Sequence, residues 1–105
     1  MKGLKACFVH EASFRLEVYL AVVLVPLGLW LGYGGIEKIV LITFPILVLS
    51  AELLNSAVEA VVDKVSPEFH ELAGRAKDMG SAAVFLLLLM IGVSWALILV
   101  PHYTH

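Results

Sequence analysis

The sequence predicts an all-α membrane protein, with three transmembrane helices behind an N-terminal amphipathic helix at the membrane interface. Three observations carry that prediction. Hydrophobic residues make up 61% of the chain against 15% charged, and the mean hydropathy of +0.97 lies outside the range of ordinary soluble domains. Three stretches are long and apolar enough to cross a bilayer. The acidic residues that interrupt the longest of them recur at helical spacing, as on one side of a single helix.

Residues 1–17 read as the interfacial helix. From Lys2 to Glu17 a helical wheel puts Leu4, Cys7, Phe8 and Phe14 on one side and Lys2, His10, Ser13 and Glu17 on the other, which suits a helix lying flat on lipid. Glu11 and Arg15 break the pattern by falling, at i, i+4 spacing, in the middle of the apolar face. An ion pair inside the helix would account for them at about 0.3 kcal/mol. A surface pair belongs on the wet side, however, so Glu11 is expected to have a buried task.

Residues 18–33 form the first span, loosened by Pro26 and Gly28, and Gly32, Tyr33, Gly34 and Gly35 make a tight turn. A secretory signal is a poor reading of this region. Glu11 and Glu17 intrude, no small-residue cleavage pattern follows, and the turn leads into more membrane. Residues 36–63 form the second helix, which at ~1.5 Å per residue is about 42 Å long against a hydrocarbon core of ~30 Å. Its last turns must therefore leave the membrane. Ser66, Pro67 and Glu68 read as an N-cap, a first-turn proline and a carboxylate near a helix N-terminus. The third helix, over 67–100, then starts in water and enters the membrane near Gly80, since Ser81 to Val100 carries no charge. On it His70, Lys77 and Ser81 share a side, and Glu71 and Arg75 form a solvated i, i+4 brace.

Lys2, Lys5 and Arg15 precede the first span and Lys64, Arg75 and Lys77 lie between the second and third, whereas the first turn holds Lys38 alone and the tail holds no lysine or arginine. This bias predicts a membrane protein with its N-terminus and long second loop in the cytoplasm and its C-terminus outside. The formal net charge of −2 and the lack of a basic run argue against a nucleic-acid partner. A lone Cys7 excludes an internal disulfide.

The most informative feature is the ladder Glu52, Asn55, Glu59 and Asp63. At about 100° per residue these side chains fall within roughly 80° of one another, on a helix whose other faces are apolar. Each ionisable group at membrane depth costs about 2.5 to 3.5 kcal/mol on insertion scales, so such a face persists only against protein, water or a cation. Thin three-helix subunits leave that face uncovered, which favours a homo-oligomer. Glu11, Glu52, Asn55, Glu59, Asp63, His70, Lys77 and Asp78 all fall near the inner boundary. Several carboxylates with a lysine suit a divalent cation and phosphate oxygens, and phosphoryl transfer needs a base beside the accepting hydroxyl. No GxxxxGK[ST] or GxGxxG occurs, so nucleotide would be held without a glycine-rich phosphate loop. Taken singly, Asn55 and Ser56 also read as interhelical glue, Asp78 as a cap and Lys77 as a snorkelling charge, but those readings leave Glu52 and Glu59 uncompensated.

The segment from Ala51 to Asp63, with His70-Glu-Leu and Gly74-Arg-Ala-Lys-Asp-Met-Gly-Ser-Ala-Ala83, closely resembles the bacterial integral-membrane diacylglycerol kinases, and Glu11-Ala-Ser-Phe-Arg-Leu-Glu17 is similar to their interfacial-helix motif. The resemblance implies a homotrimer of three-span subunits in the bacterial inner membrane, with composite sites at the cytoplasmic boundary, passing the γ-phosphoryl group of ATP, with Mg2+, to diacylglycerol to give phosphatidic acid. It implies Glu52 as general base, Glu11 and Glu59 as magnesium ligands, and Lys77 on the γ-phosphate. Asn55 falls beside catalysis, and Glu68, Phe69, His70 and Asp78 beside the nucleotide. Arg15, Glu17, Trp30, Ser81 and Trp95 match positions close to the lipid substrate. Family members begin with a further stretch that touches nucleotide, whereas Met1 stands near the start of the shared region. Phe69, His10 and Ala73 replace what are often Tyr, Asn and Ser, and Val65-Ser-Pro-Glu looks more like the related undecaprenol kinases. Undecaprenol is therefore the alternative acceptor. The rival of another class is a proton-coupled small multidrug transporter, a family with four spans and its essential glutamate in the first; here three spans are expected and the first is charge-free.

Overall fold

The computed structural model describes residues 2–65 and 71–104, and all of its regular structure is helical. Helix α1 spans Lys2–His10, α2 Ala12–Leu31, α3 Gly34–Val65 and α4 Glu71–Tyr103. The last three are long and apolar enough to cross a membrane. The N-cap expected at Ser66 and Pro67 lies outside the described residues.

The N-terminal region differs from the single helix expected over 2–17. Glu11 is extended, with φ −118° and ψ 111°, so the chain breaks there and α2 starts at Ala12. Arg15 reaches back over the break and donates from Nη1 to the carbonyl oxygens of Phe8 and Val9, both at 2.9 Å. It thus satisfies the free carbonyls at the C-terminus of α1 and does not pair with Glu11. A helix continuous through Glu11 would have left those carbonyls bonded within itself and Arg15 without that task.

Pro26 and Gly28 do not interrupt α2. Gly28 instead permits close approach, because a Cβ there would stand 3.0 Å from the Leu41 Cβ and 3.3 Å from the Ile42 methyl of α3. The turn is shorter than expected, since α3 begins at Gly34, whose φ of 76° is left-handed and suits glycine. The Tyr33 N–H donates to the Glu37 carboxylate at 2.8 Å across the first turn of α3.

Helix α3 is the spine, with α2 and α4 packed on it. Leu41, Pro45 and Val48 are its fully buried side chains, and Val48 meets Val84 and Ile91 of α4 in a small core flanked by Leu24, Phe44, Ala51, Leu87 and Trp95. Pro45 is tolerated inside α3, as prolines in packed membrane helices are. The buried Ser94 satisfies itself by donating to the Ile91 carbonyl at 3.2 Å. Only 17% of the spanning windows of α2 and α4 and 28% of that of α3 is buried, so most of the apolar surface is left to lipid or to other subunits.

At the end of the bundle away from Glu52, α4 is tied to the α2–α3 turn. His102 Nε2 lies 2.9 and 3.0 Å from the two Glu37 oxygens, and the Tyr33 ring stacks on the imidazole at 4.0 Å. Tyr103 donates to the Leu31 carbonyl at 3.2 Å, and the Trp95 indole N–H to that of Leu41 at 3.1 Å.

Candidate active site

The ladder on α3 faces inward where its neighbours diverge. Glu52 and Asn55 are buried at 7% exposure, while Glu59, one turn on, is half-buried. With Glu11 from the helix break, Ser13 and Glu17 from α2, and Ser81 and Val84 from α4, they line a cavity of about 250 Å³. Four carboxylates from two helices and one joint therefore surround a single space. Ser81 opens the charge-free stretch of α4, so the cavity sits level with the edge of the apolar span.

Within it the Glu17 and Glu52 carboxyl groups lie side by side, within hydrogen-bonding reach. Asn55 Nδ2 donates to Glu59 Oε1 at 3.2 Å, which holds that carboxylate towards the cavity. Glu17 Oε2 and Asn55 Oδ1 are buried without a hydrogen-bond partner. Buried polar atoms are ordinarily paired, so these two orphans mark the place for a donor or a ligand. A second cavity of about 450 Å³ lies under α1, lined by Cys7, His10, Leu53 and Ser56 among others, and Glu11 forms a wall of both. The Cys7 thiol there donates to Ser56 Oγ at 3.6 Å.

The fourth rung of the ladder points elsewhere. Asp63 accepts a hydrogen bond from Lys77 Nζ at 2.6 Å, tying α3 to α4 beyond the cavity. Asp78 is exposed, and the Glu71–Arg75 brace forms in solvent as expected, at 3.6 Å. Arg15 is committed to the end of α1. Trp30 is 79% exposed at the far end of α2, and Trp95 is bonded to Leu41, so this chain does not bring either indole to the carboxylates. Glu68, Phe69 and His70 lie outside the described residues. Ser13 lines the cavity although its residue type and position gave no signal in the sequence.

Among the described residues no three His, Cys, Asp or Glu side chains form a ready metal cage. Glu11 and Glu59 nevertheless share one cavity, and magnesium typically takes only one or two carboxylates beside the phosphates of its substrate. The donor set fits such an ion.

A family model described as prokaryotic diacylglycerol kinase matches residues 1–99. A Haemophilus influenzae protein named diacylglycerol kinase is 52% identical over 99 residues, covering 94% of this chain and 84% of its own. Proteins of the same name from Pseudomonas aeruginosa and Escherichia coli K12 are 50% and 44% identical, over 94% and 97% of this chain and 80% and 84% of theirs.

Proposed function

The chain belongs to the prokaryotic diacylglycerol kinase family, and from that premise we propose that it phosphorylates diacylglycerol from MgATP with the Glu52 carboxylate as base. One observation carries the choice of site: Glu11, Glu17, Glu52, Asn55 and Glu59 surround one cavity at the edge of the apolar span. A lipid hydroxyl and a water-soluble nucleotide can meet there.

In this reading Glu52 takes the hydroxyl proton as the lipid oxygen attacks the γ-phosphorus. The new O–P bond forms as the bond to the bridging β-phosphate oxygen breaks, and ADP leaves. Glu17, beside Glu52, offers that proton a second carboxyl group. Glu11 and Glu59 would hold the magnesium ion, whose charge would offset that developing on the phosphates. Asn55 keeps Glu59 aimed. Lys77 exchanges Asp63 for the γ-phosphate, while Asp78, Glu68, Phe69 and His70 border the nucleotide. Ser81 and Glu17 lie near the lipid head group, and Arg15, Trp30 and Trp95 near the lipid in the assembled enzyme. That assembly is a homotrimer in the bacterial inner membrane, N-terminus inside and C-terminus outside; the largely unburied apolar faces support self-association, and the lysine and arginine distribution supports the orientation. In this reading α1 serves as an interfacial arm, α2 as the first span, α3 as the second span with its cytoplasmic extension, and α4 as the third. The three long apolar helices among the described residues argue against a four-span transporter, and the names of the relatives favour diacylglycerol over undecaprenol.

The test incubates purified protein with labelled ATP and separate micelles of diacylglycerol and undecaprenol. Label is expected in phosphatidic acid. Glu52→Gln keeps the shape but removes the proton acceptor, so turnover should fall by roughly 10²- to 10⁴-fold while assembly persists. Phosphatidate formation at the wild-type rate by that variant would overturn the base assignment.

A further inference from the structure

The orphaned oxygen of Asn55 has a specific neighbour. Asn55 Nδ2 is spent on Glu59, so Oδ1 is turned the other way, towards Gly80 on α4. A Cβ on Gly80 would overlap that oxygen outright, would lie 3.0 Å from the carboxamide carbon, and would still clear the Asn55 Cβ at an ordinary 3.5 Å. We propose that Gly80 is a positioning residue of the active site, whose missing side chain lets the Asn55 carboxamide lie in the one orientation that aims Glu59.

A side chain at position 80 would force the amide to swing away, because turning it end for end only sets Nδ2 in the space that Oδ1 fills. Swinging away draws Nδ2 off Glu59 and so undoes that aim. Gly92, on the same helix, has nothing within 4 Å of its own would-be Cβ. The overlap at Gly80 is thus not shared by Gly92 further along α4.

This inference rests on the proposed metal role of Glu59, and its test separates the two. Groups that orient a metal ligand typically contribute roughly 10- to 100-fold in metal affinity or activity. Gly80→Ala is expected to weaken the magnesium titration and the rate to the same degree as Asn55→Ala. In the Asn55→Ala background, where the overlapped atoms are gone, Gly80→Ala should add less than about twofold, because coupled residues are not additive. Gly92→Ala should behave as wild type. Losses that multiply in the double variant, or an unchanged magnesium titration in Gly80→Ala, overturn the proposal. If Gly80→Ala fails to accumulate, the double variant must recover assembly by size exclusion; failure of both also overturns it. Should Glu59→Gln leave the magnesium titration unchanged while the rates remain non-additive, the metal assignment falls and the Gly80–Asn55 coupling stands.

Discussion

At the residue scale, the chemistry depends on which partner each charged group keeps. Lys77 is held by Asp63 at 2.6 Å, with both side chains well exposed, so solvent screening leaves the pair weak. In the proposed reaction a γ-phosphate, carrying more charge than one carboxylate, would compete for the same ammonium. Asp63→Asn should therefore lower the apparent KM for MgATP by about twofold; a raised KM would instead give Asp63 a part in holding nucleotide. Glu52, Asn55 and Glu59 were legible in the sequence because i, i+3 and i+7 spacing on an apolar helix needs no tertiary knowledge. Asp63 continued the same ladder, but Lys77 draws it aside, and that partner comes from another helix. Glu11 was legible as a polar residue on the wrong face. Ser13 was not, because a hydroxyl on an expected polar face is indistinguishable from a solvated one.

At the element scale, the break at Glu11 and the contact at Gly28 set how the helices meet. Neither was legible. Local periodicity carries on through Glu11, and the tertiary choice to spend Arg15 on the carbonyls of Phe8 and Val9 ends the helix there. Gly28 read as a flexible point, yet its lack of a side chain brings α2 onto Leu41. Gly28→Val should force the two helices apart at a cost of about 1 to 3 kcal/mol, as overpacking does, and thermal denaturation in detergent measures it. An unaltered melting temperature would mean that α2 slides aside freely.

At the scale of the whole molecule, the carboxylate-lined cavity lies at one end of the bundle and a structural tie at the other. Glu37 and Glu52 are separated along α3 by about 22 Å at the rise of an α-helix. The Glu37–His102 contact, with Tyr33 stacked and Tyr103 bonded to Leu31, joins residues 65 and 72 positions apart in sequence. No periodic pattern encodes such a pairing. Glu37→Gln should lower the melting temperature slightly by weakening the contact with His102, with kcat and KM unchanged. A shift in KM of the same variant would show that the far end is coupled to catalysis.

Glu11 occupies the joint between α1 and α2, and it walls two cavities at once. A carboxylate mounted on a joint follows whichever arm shifts, and here the outer arm rests on α3 through the buried Cys7 and its contact with Ser56. Any sliding of α1 over that seat would lengthen or shorten the gap from Glu11 to Glu59 across the cavity they share.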